Sequence, residues 1–294
     1  MSTVTPATAA SAESAHAPAE LDEPAPVFVA RDSRTEQIVK ILIPTVMLAA
    51  LVALWAWYVK AYEVPHYILP SPWRVAESLI KDWGTLSAAL LITLKITFTA
   101  LGMALVGGVG LAILMSQSRW VELALYPYAV ILQVTPIVAI APLILIYAPT
   151  TQSALLICAW LVAFFPVLSN TTQGLKSTDH NLLNLFEMYG ANRWQTLIHL
   201  KLPSALPYFL AGLRIAGGLA LIAAVVAEFA AGSAGAQSGL AYRLLESQFR
   251  LNIPRLFAAL ILLSVTGVII FAMTSVVSHL LLRKWHESAL KREN

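Results

Sequence analysis

The chain has 294 residues, 58% of them hydrophobic and only 12% charged, with a net charge of +3. Soluble domains carry roughly 25% charged residues, so this balance excludes both an ordinary soluble core and a wholly disordered chain. The small net charge gives no reason to expect nucleic acid as a partner, and the single cysteine, Cys158, reads as a small core residue with no internal disulfide to form.

Residues 1–37 are rich in Ala, Pro, Ser and Glu. No basic segment precedes a short apolar run there, so the stretch does not read as a secretory signal. It buries too little apolar surface to fold and is predicted to be a disordered cytoplasmic tail. Beyond it, charge-free runs mark the spans, because a bilayer core of about 30 Å needs about 20 apolar residues of helix. Residues 41–59 are uncharged, and residues 96–118 are uncharged with apolar character reaching back past Lys95 to Leu86. Residues 123–175 are too many for one span and right for two, broken at the turn Tyr147-Ala-Pro-Thr-Thr-Gln. Residues 208–231 are interrupted only by Arg214 and Glu228, and residues 256–282 complete the set. The prediction is an all-α, polytopic membrane protein with six transmembrane helices. Residues 38–84 hold the first helix and a periplasmic segment, residues 85–285 a core of five further helices with a loop at about 176–207, and residues 286–294 a short cytoplasmic tail.

Lys and Arg set the orientation. With the N-terminus inside, the inner segments hold Arg31, Arg34, Lys40, Arg119, Lys176, Arg193, Lys201, Arg283, Lys284, Lys291 and Arg292. The outer segments hold only Lys60, Arg74, Lys81, Arg243, Arg250 and Arg255. Both termini are then cytoplasmic, and Trp55, Trp57 and Tyr58 form an aromatic belt at the outer interface. Outside the membrane, Pro70 and Pro72 set an extended turn, with Ser71 capping a short amphipathic helix that Pro72 opens. Residues 232–254 begin rich in Gly and Ser, then place Leu240, Leu244, Leu245 and Phe249 at helical spacing. Each of these two segments either rests on the membrane or faces an external partner. Within the spans, Gly102, Gly107, Gly108 and Gly110 on the second helix, and Gly212, Ala216 and Ala220 on the fifth, let backbones approach closely. Pro136, Pro142 and Pro166 are expected to kink the third and fourth spans.

The chain carries no phosphate-cradling G-x-x-x-x-G-K-[ST] loop, and Gly174-Leu-Lys-Ser-Thr has the wrong spacing for one. Its six histidines are scattered, with no metal-ligand spacing. No cofactor and no catalytic residue is expected, so the chain reads as a non-enzyme that borrows its energy. Ionisable residues within spans are costly and often functional. Arg214 reads as snorkelling to the inner headgroups or bonding backbone carbonyls, and Lys95 as snorkelling outward. Glu228 is too short to snorkel far; it is a candidate pathway or gate residue, or a structurally paired acid at the outer interface.

The stretch Asn184 to Pro207 reads NLFEMYGANRWQTLIHLKLPSALP. Gly190 sits between two helical segments and permits a sharp turn. Leu202-Pro203 is expected to end the second of these, and Pro207 to start the next span. Such a loop is either an amphipathic helix lying on the bilayer or a docking element for a soluble partner.

The stretch resembles the cytoplasmic EAA loop of bacterial ABC importer permeases. Gly190, nine residues, then Leu200-Lys201-Leu202-Pro203 keep the second half of that pattern, with Leu200 for isoleucine. The first half departs: Asn184-Leu185-Phe186 stand where the acid and two alanines would be, and the nearest acid, Glu187, lies about one turn on. Tyr67-Ile-Leu-Pro-Ser-Pro, Arg193-Trp194-Gln195 and Ala227-Glu228-Phe229 are similar to permeases of the nitrate, sulfonate and taurine importer group, over residues 64–285. The resemblance implies a type I importer permease in the bacterial inner membrane, paired with a second permease copy, two ATP-binding subunits and a periplasmic substrate-binding protein. It implies that Asn184, Phe186, Glu187, Tyr189, Gly190, Ala191, Trp194, Leu202 and Pro203 form an ATPase-coupling surface. Gly190 would set the turn and the three aromatics would pack into the ATPase groove. Glu187 would either bond a basic residue of the ATPase or stay solvated. The substrates implied are sulfonates, taurine, nitrate or pyrimidine-like compounds. An ion-coupled secondary transporter is the rival reading, and it would need acidic residues near the midplane. A membrane enzyme would need clustered His, Asp or Glu at one interface, and none is evident.

Overall fold

The computed structural model describes residues 34–232 and 238–283. Residues 1–33 of the predicted tail, and the predicted tail at 286–294, lie outside the described residues. Residues 34–37 belong to the first helix instead of the tail, since Arg, Glu and Gln are good helix formers and carry a helix past its apolar stretch. The chain divides into two compact units, residues 1–51 and residues 52–294. Helix α1 (Arg34–Ala61) begins in the first and ends in the second. All other helices belong to the second.

Among the described residues the regular structure is wholly helical. α2 (Pro72–Lys81) opens as expected, with Pro72 in its first turn and the Ser71 hydroxyl accepting from the Arg74 N–H at 3.5 Å. α3 (Trp83–Gln117) is longer than its charge-free run, because Lys95 is exposed and leaves the helix uninterrupted. α4 (Arg119–Val134) and α5 (Ile137–Tyr147) occupy the third predicted span and are bent by 101° at Thr135-Pro136. Proline has no N–H to give and drives the preceding residue out of the helical region; Thr135 and Pro136 are accordingly extended, with ψ of 121° and 113°. Among the described residues there are therefore five helices long and apolar enough to cross a membrane, or six if this bent pair counts as one crossing.

α6 (Thr151–Lys176) starts at the expected turn, where Thr150 and Ser153 satisfy each other's backbone N–H groups. α7 (His180–Met188) and α8 (Arg193–Thr196) form the loop, followed by α9 (Leu202–Ala231), α10 (Leu240–Phe249) and α11 (Ile253–Leu282). The centre of the bundle is α6, packed along α9 on one side and α3 on the other. Small residues set that spacing. A Cβ on Gly212 would stand 2.8 Å from the Pro166 carbonyl, and one on Gly174 would stand 2.8 Å from the Ala205 Cα. Ala216 and Ala220 continue the stripe and are fully buried. Helices that close gain dispersion contacts that larger side chains would hold apart. On the second helix the reading is half met: Gly108 packs against Val167, while Gly102 and Gly110 face outward with no neighbour within 4 Å.

Candidate functional site

The loop between α6 and α9 is built to a defined shape. Asp179 caps α7 by accepting from the Asn181 N–H at 2.8 Å. α7 closes on a Schellman turn: the Ala191 N–H donates to the Phe186 carbonyl at 3.0 Å and the Gly190 N–H to the Glu187 carbonyl at 2.9 Å. That turn needs a left-handed residue after the cap, and Gly190 supplies it with φ +70°. Two residues later Asn192 and Gln195 form a reciprocal cap, each side-chain oxygen accepting from the other's N–H at 2.8 Å. The chain thus reverses between two capped helix ends with few free polar groups.

What this shape presents is apolar. Met188 is 85% exposed, Tyr189 82% and Trp194 62%, with Leu185 and Ile198 exposed beside them in sequence. Phe186 is half-buried, so of the three predicted aromatics Tyr189 and Trp194 are the exposed ones. Asn184 and Glu187 are exposed, and Ala191 is half-buried behind the turn. Soluble or lipid-free surfaces rarely leave so many large apolar groups together without a partner.

The junction with α9 differs from the expectation. Leu202-Pro203 does not end a helix and Pro207 does not start one. Residues Leu197–Lys201 form a π turn, in which the Leu202 N–H reaches back five residues to the Leu197 carbonyl. This wider turn passes the chain over Pro203, whose missing N–H would otherwise break an α-helix. Ser204 Oγ donates to the Leu200 carbonyl at 2.8 Å and keeps that group satisfied. Leu197 and Ala205 are buried in the α3–α6–α9 core with Leu202 packed against it. The outcome is one continuous helical rod, Arg193–Ala231, of 39 residues. Lys176, at the end of α6, pairs with Glu122 at the start of α4 near the base of the same loop.

At the other end of α9, Glu228 is 2% exposed. Both carboxylate oxygens are engaged. Thr93 Oγ1 on α3 donates to Oε1 at 2.8 Å, and the Ala241 N–H donates to Oε2 at 2.9 Å. The Leu240 N–H in turn donates to Thr93 Oγ1 at 2.8 Å. Leu240 and Ala241 are the first two residues of α10, whose cap residue is Gly239 and provides no side chain. Glu228 and Thr93 therefore do the capping from other helices, placing acceptor oxygens on N–H groups that the helix itself leaves without partners. A Cβ on Gly239 would collide with the Glu228 carboxylate as it stands, so a larger residue at the cap position would displace that carboxylate from its partners.

α10 is held at its middle as well. Glu246 accepts from Arg243 at 2.9 Å and from Arg250 at 2.9 Å, and Arg255 on α11 stands at 3.9 Å. The hydrogen bond from Arg243, with the charges of all three arginines, holds the Glu246 carboxyl below the usual carboxylate range. Among the described residues, no group of three His, Cys, Asp or Glu side chains comes together as a metal site. Sequence reasoning singled out Glu228 but missed Thr93, 135 positions away, and Gly239. The helical spacing from Leu240 with no capping side chain before it was the signal available.

Among the described residues these features define an all-helical, multi-pass membrane protein with a shaped apolar loop. Residues 104–283 match the family of binding-protein-dependent transport system inner membrane components. The chain belongs to that family and is an ABC importer permease. It is 34% identical over 240 residues to the formylaminopyrimidine transport permease protein ThiX of Halalkalibacterium halodurans, covering 81% of this chain and 94% of that one. It is 34% identical to the riboflavin transport system permease protein RibX of Chloroflexus aurantiacus, covering 83% and 90%. It is 30% identical to the putative aliphatic sulfonates transport permease protein SsuC of Bacillus subtilis, covering 82% and 86%. Among solved structures, the crystal structure of an amino acid ABC transporter with histidines shares the fold, with TM-score 0.56 and 18% identity over 70% of this chain and 97% of that one.

Proposed function

We propose that this permease moves a small solute from periplasm to cytoplasm by alternating access, driven by ATP hydrolysis in a separate subunit that docks on the loop at 184–207. The observation that carries this reading is the capped, glycine-turned loop whose Met188, Tyr189 and Trp194 are exposed at the root of a single 39-residue helix. A partner gripping those side chains pulls on a rod that crosses the bundle. Two ATP-binding subunits and two permease copies would then close the assembly, with a periplasmic binding protein delivering the solute. Both termini lie in the cytoplasm on this reading, as the Lys and Arg bias favours. The named relatives support a pyrimidine-like, flavin-like or sulfonate solute. Asn184 and Glu187, both exposed, remain the polar edge of the docking surface. The ion-coupled reading depended on Glu228, and the occupation of both its oxygens by hydrogen bonds favours the ATP-driven one.

The test is reconstitution in liposomes with a partner ATPase and a binding protein. Uptake should require ATP and the binding protein, and should survive collapse of proton and sodium gradients. Uptake that persists without ATP and stops with the gradients would sink the proposal.

A further inference from the structure

Three helices meet at one buried carboxylate. Glu228 lies in the last turn of α9, Thr93 faces it from α3, and the first two N–H groups of α10 close the set. Gly239 leaves the room that this arrangement needs. Nothing about membrane insertion requires it: α9 would span the bilayer without Glu228, and a helix such as α10 could carry its own Ser or Asp cap. A cap supplied from another helix does something a local cap cannot. It fixes α10 to the end of α9.

We infer that Glu228, with Thr93, is a positioning residue that latches α10 to α9, so that movement of α9 driven at the loop end is delivered to α10 at the opposite end. Arg193 and Glu228 lie on the same continuous rod, roughly 50 Å apart at 1.5 Å per residue. Behind the latch, Glu246 ties α10 to Arg250 and to Arg255 of α11, so α10 moves as a braced unit and not as a frayed end. The latch rests on the permease reading for its consequence in transport, but its geometry is independent of it.

The experiment uses the full permease reconstituted with its ATPase and binding protein, in wild-type, Thr93→Val, Thr93→Ser and Glu228→Gln forms. Hydrogen exchange of the α10 amides reads the latch, and the ratio of binding-protein-stimulated to unstimulated ATP hydrolysis reads its use. Thr93→Val keeps the shape and removes the hydroxyl; Thr93→Ser keeps the hydroxyl. The expected result is about tenfold faster exchange at Leu240 and Ala241 in Thr93→Val and Glu228→Gln. In the same two variants the stimulation ratio should fall toward one, and both readouts should return in Thr93→Ser. Wild-type exchange in Thr93→Val and Glu228→Gln would overturn the latch, and fast exchange with unchanged stimulation would overturn its role in transmission. If the wild-type complex shows no ATP-driven uptake, the permease reading fails while the exchange arm still decides the latch.

Discussion

Substituting Gly190 isolates the shape of the loop from its chemistry. The residue has φ +70°, yet a Cβ there would find no atom within 4 Å. A side chain therefore adds no clash, and its whole cost is the left-handed backbone, about 1–2 kcal/mol for an ordinary L-residue. That shifts the balance between the turned and opened loop roughly 5- to 30-fold. Asparagine tolerates this region and valine, branched at Cβ, tolerates it least. The expected order of ATP-driven uptake in proteoliposomes is Gly190 ≈ Gly190→Asn > Gly190→Ala > Gly190→Val, with the last reduced about tenfold. The thermal unfolding of the purified permease should barely move, because Gly190 is exposed. Full uptake and full binding-protein-stimulated ATP hydrolysis in Gly190→Val would refute both the turn argument and the docking role of the loop.

Gly212→Ala should lower the melting temperature of the detergent-solubilised permease by several degrees. Its Cβ meets the Pro166 carbonyl at 2.8 Å and the Asn170 Cβ at 2.9 Å, an overpacking worth about 1–3 kcal/mol. Gly102→Ala, with open space around it, should be neutral or stabilising, and equal effects at the two sites would contradict the packing account. Glu246 has its carboxyl lowered from the usual 4.5, so its stabilisation of α10 is present above that value and is lost as pH falls through the lower folded value. Protection of the α10 amides, measured relative to intrinsic exchange at each pH, should fall below pH 4.5 in the wild type and show no such step in Glu246→Gln; a flat wild-type protection profile would count against the arginine cluster.

The spans were legible because charge is expensive in lipid, and the loop was legible because its turn needs glycine at one place. What escaped was set by partners distant in the chain. The bend at Thr135-Pro136 was readable as a kink but not as 101°, since the angle depends on what α4 and α5 pack against. Pro203 read as a helix end because the sequence shows its missing N–H and not the π turn that carries the chain past it. Glu228 read as a gate or as a structurally paired acid. Its partners are the Thr93 hydroxyl 135 positions earlier, which has no sequence signature, and the Ala241 N–H 13 positions later, hinted at only by a helix start with no cap of its own.

The π turn at Leu197–Lys201 bears on how the two ends of α9 communicate. A helix broken at Pro203 would let the loop swing independently of the bundle, and a pull on Trp194 would dissipate there. The wider turn instead buries Leu197 and Leu200 and keeps the rod continuous through both prolines. It also leaves Pro203 and Pro207 as the weakest part of the rod, where backbone hydrogen bonds are fewest. Between those prolines and Glu228, Gly212 packs on Pro166 and Gly174 on Ala205, so the transmission proposed above would bear on α6 where these glycines bring the two helices into backbone contact.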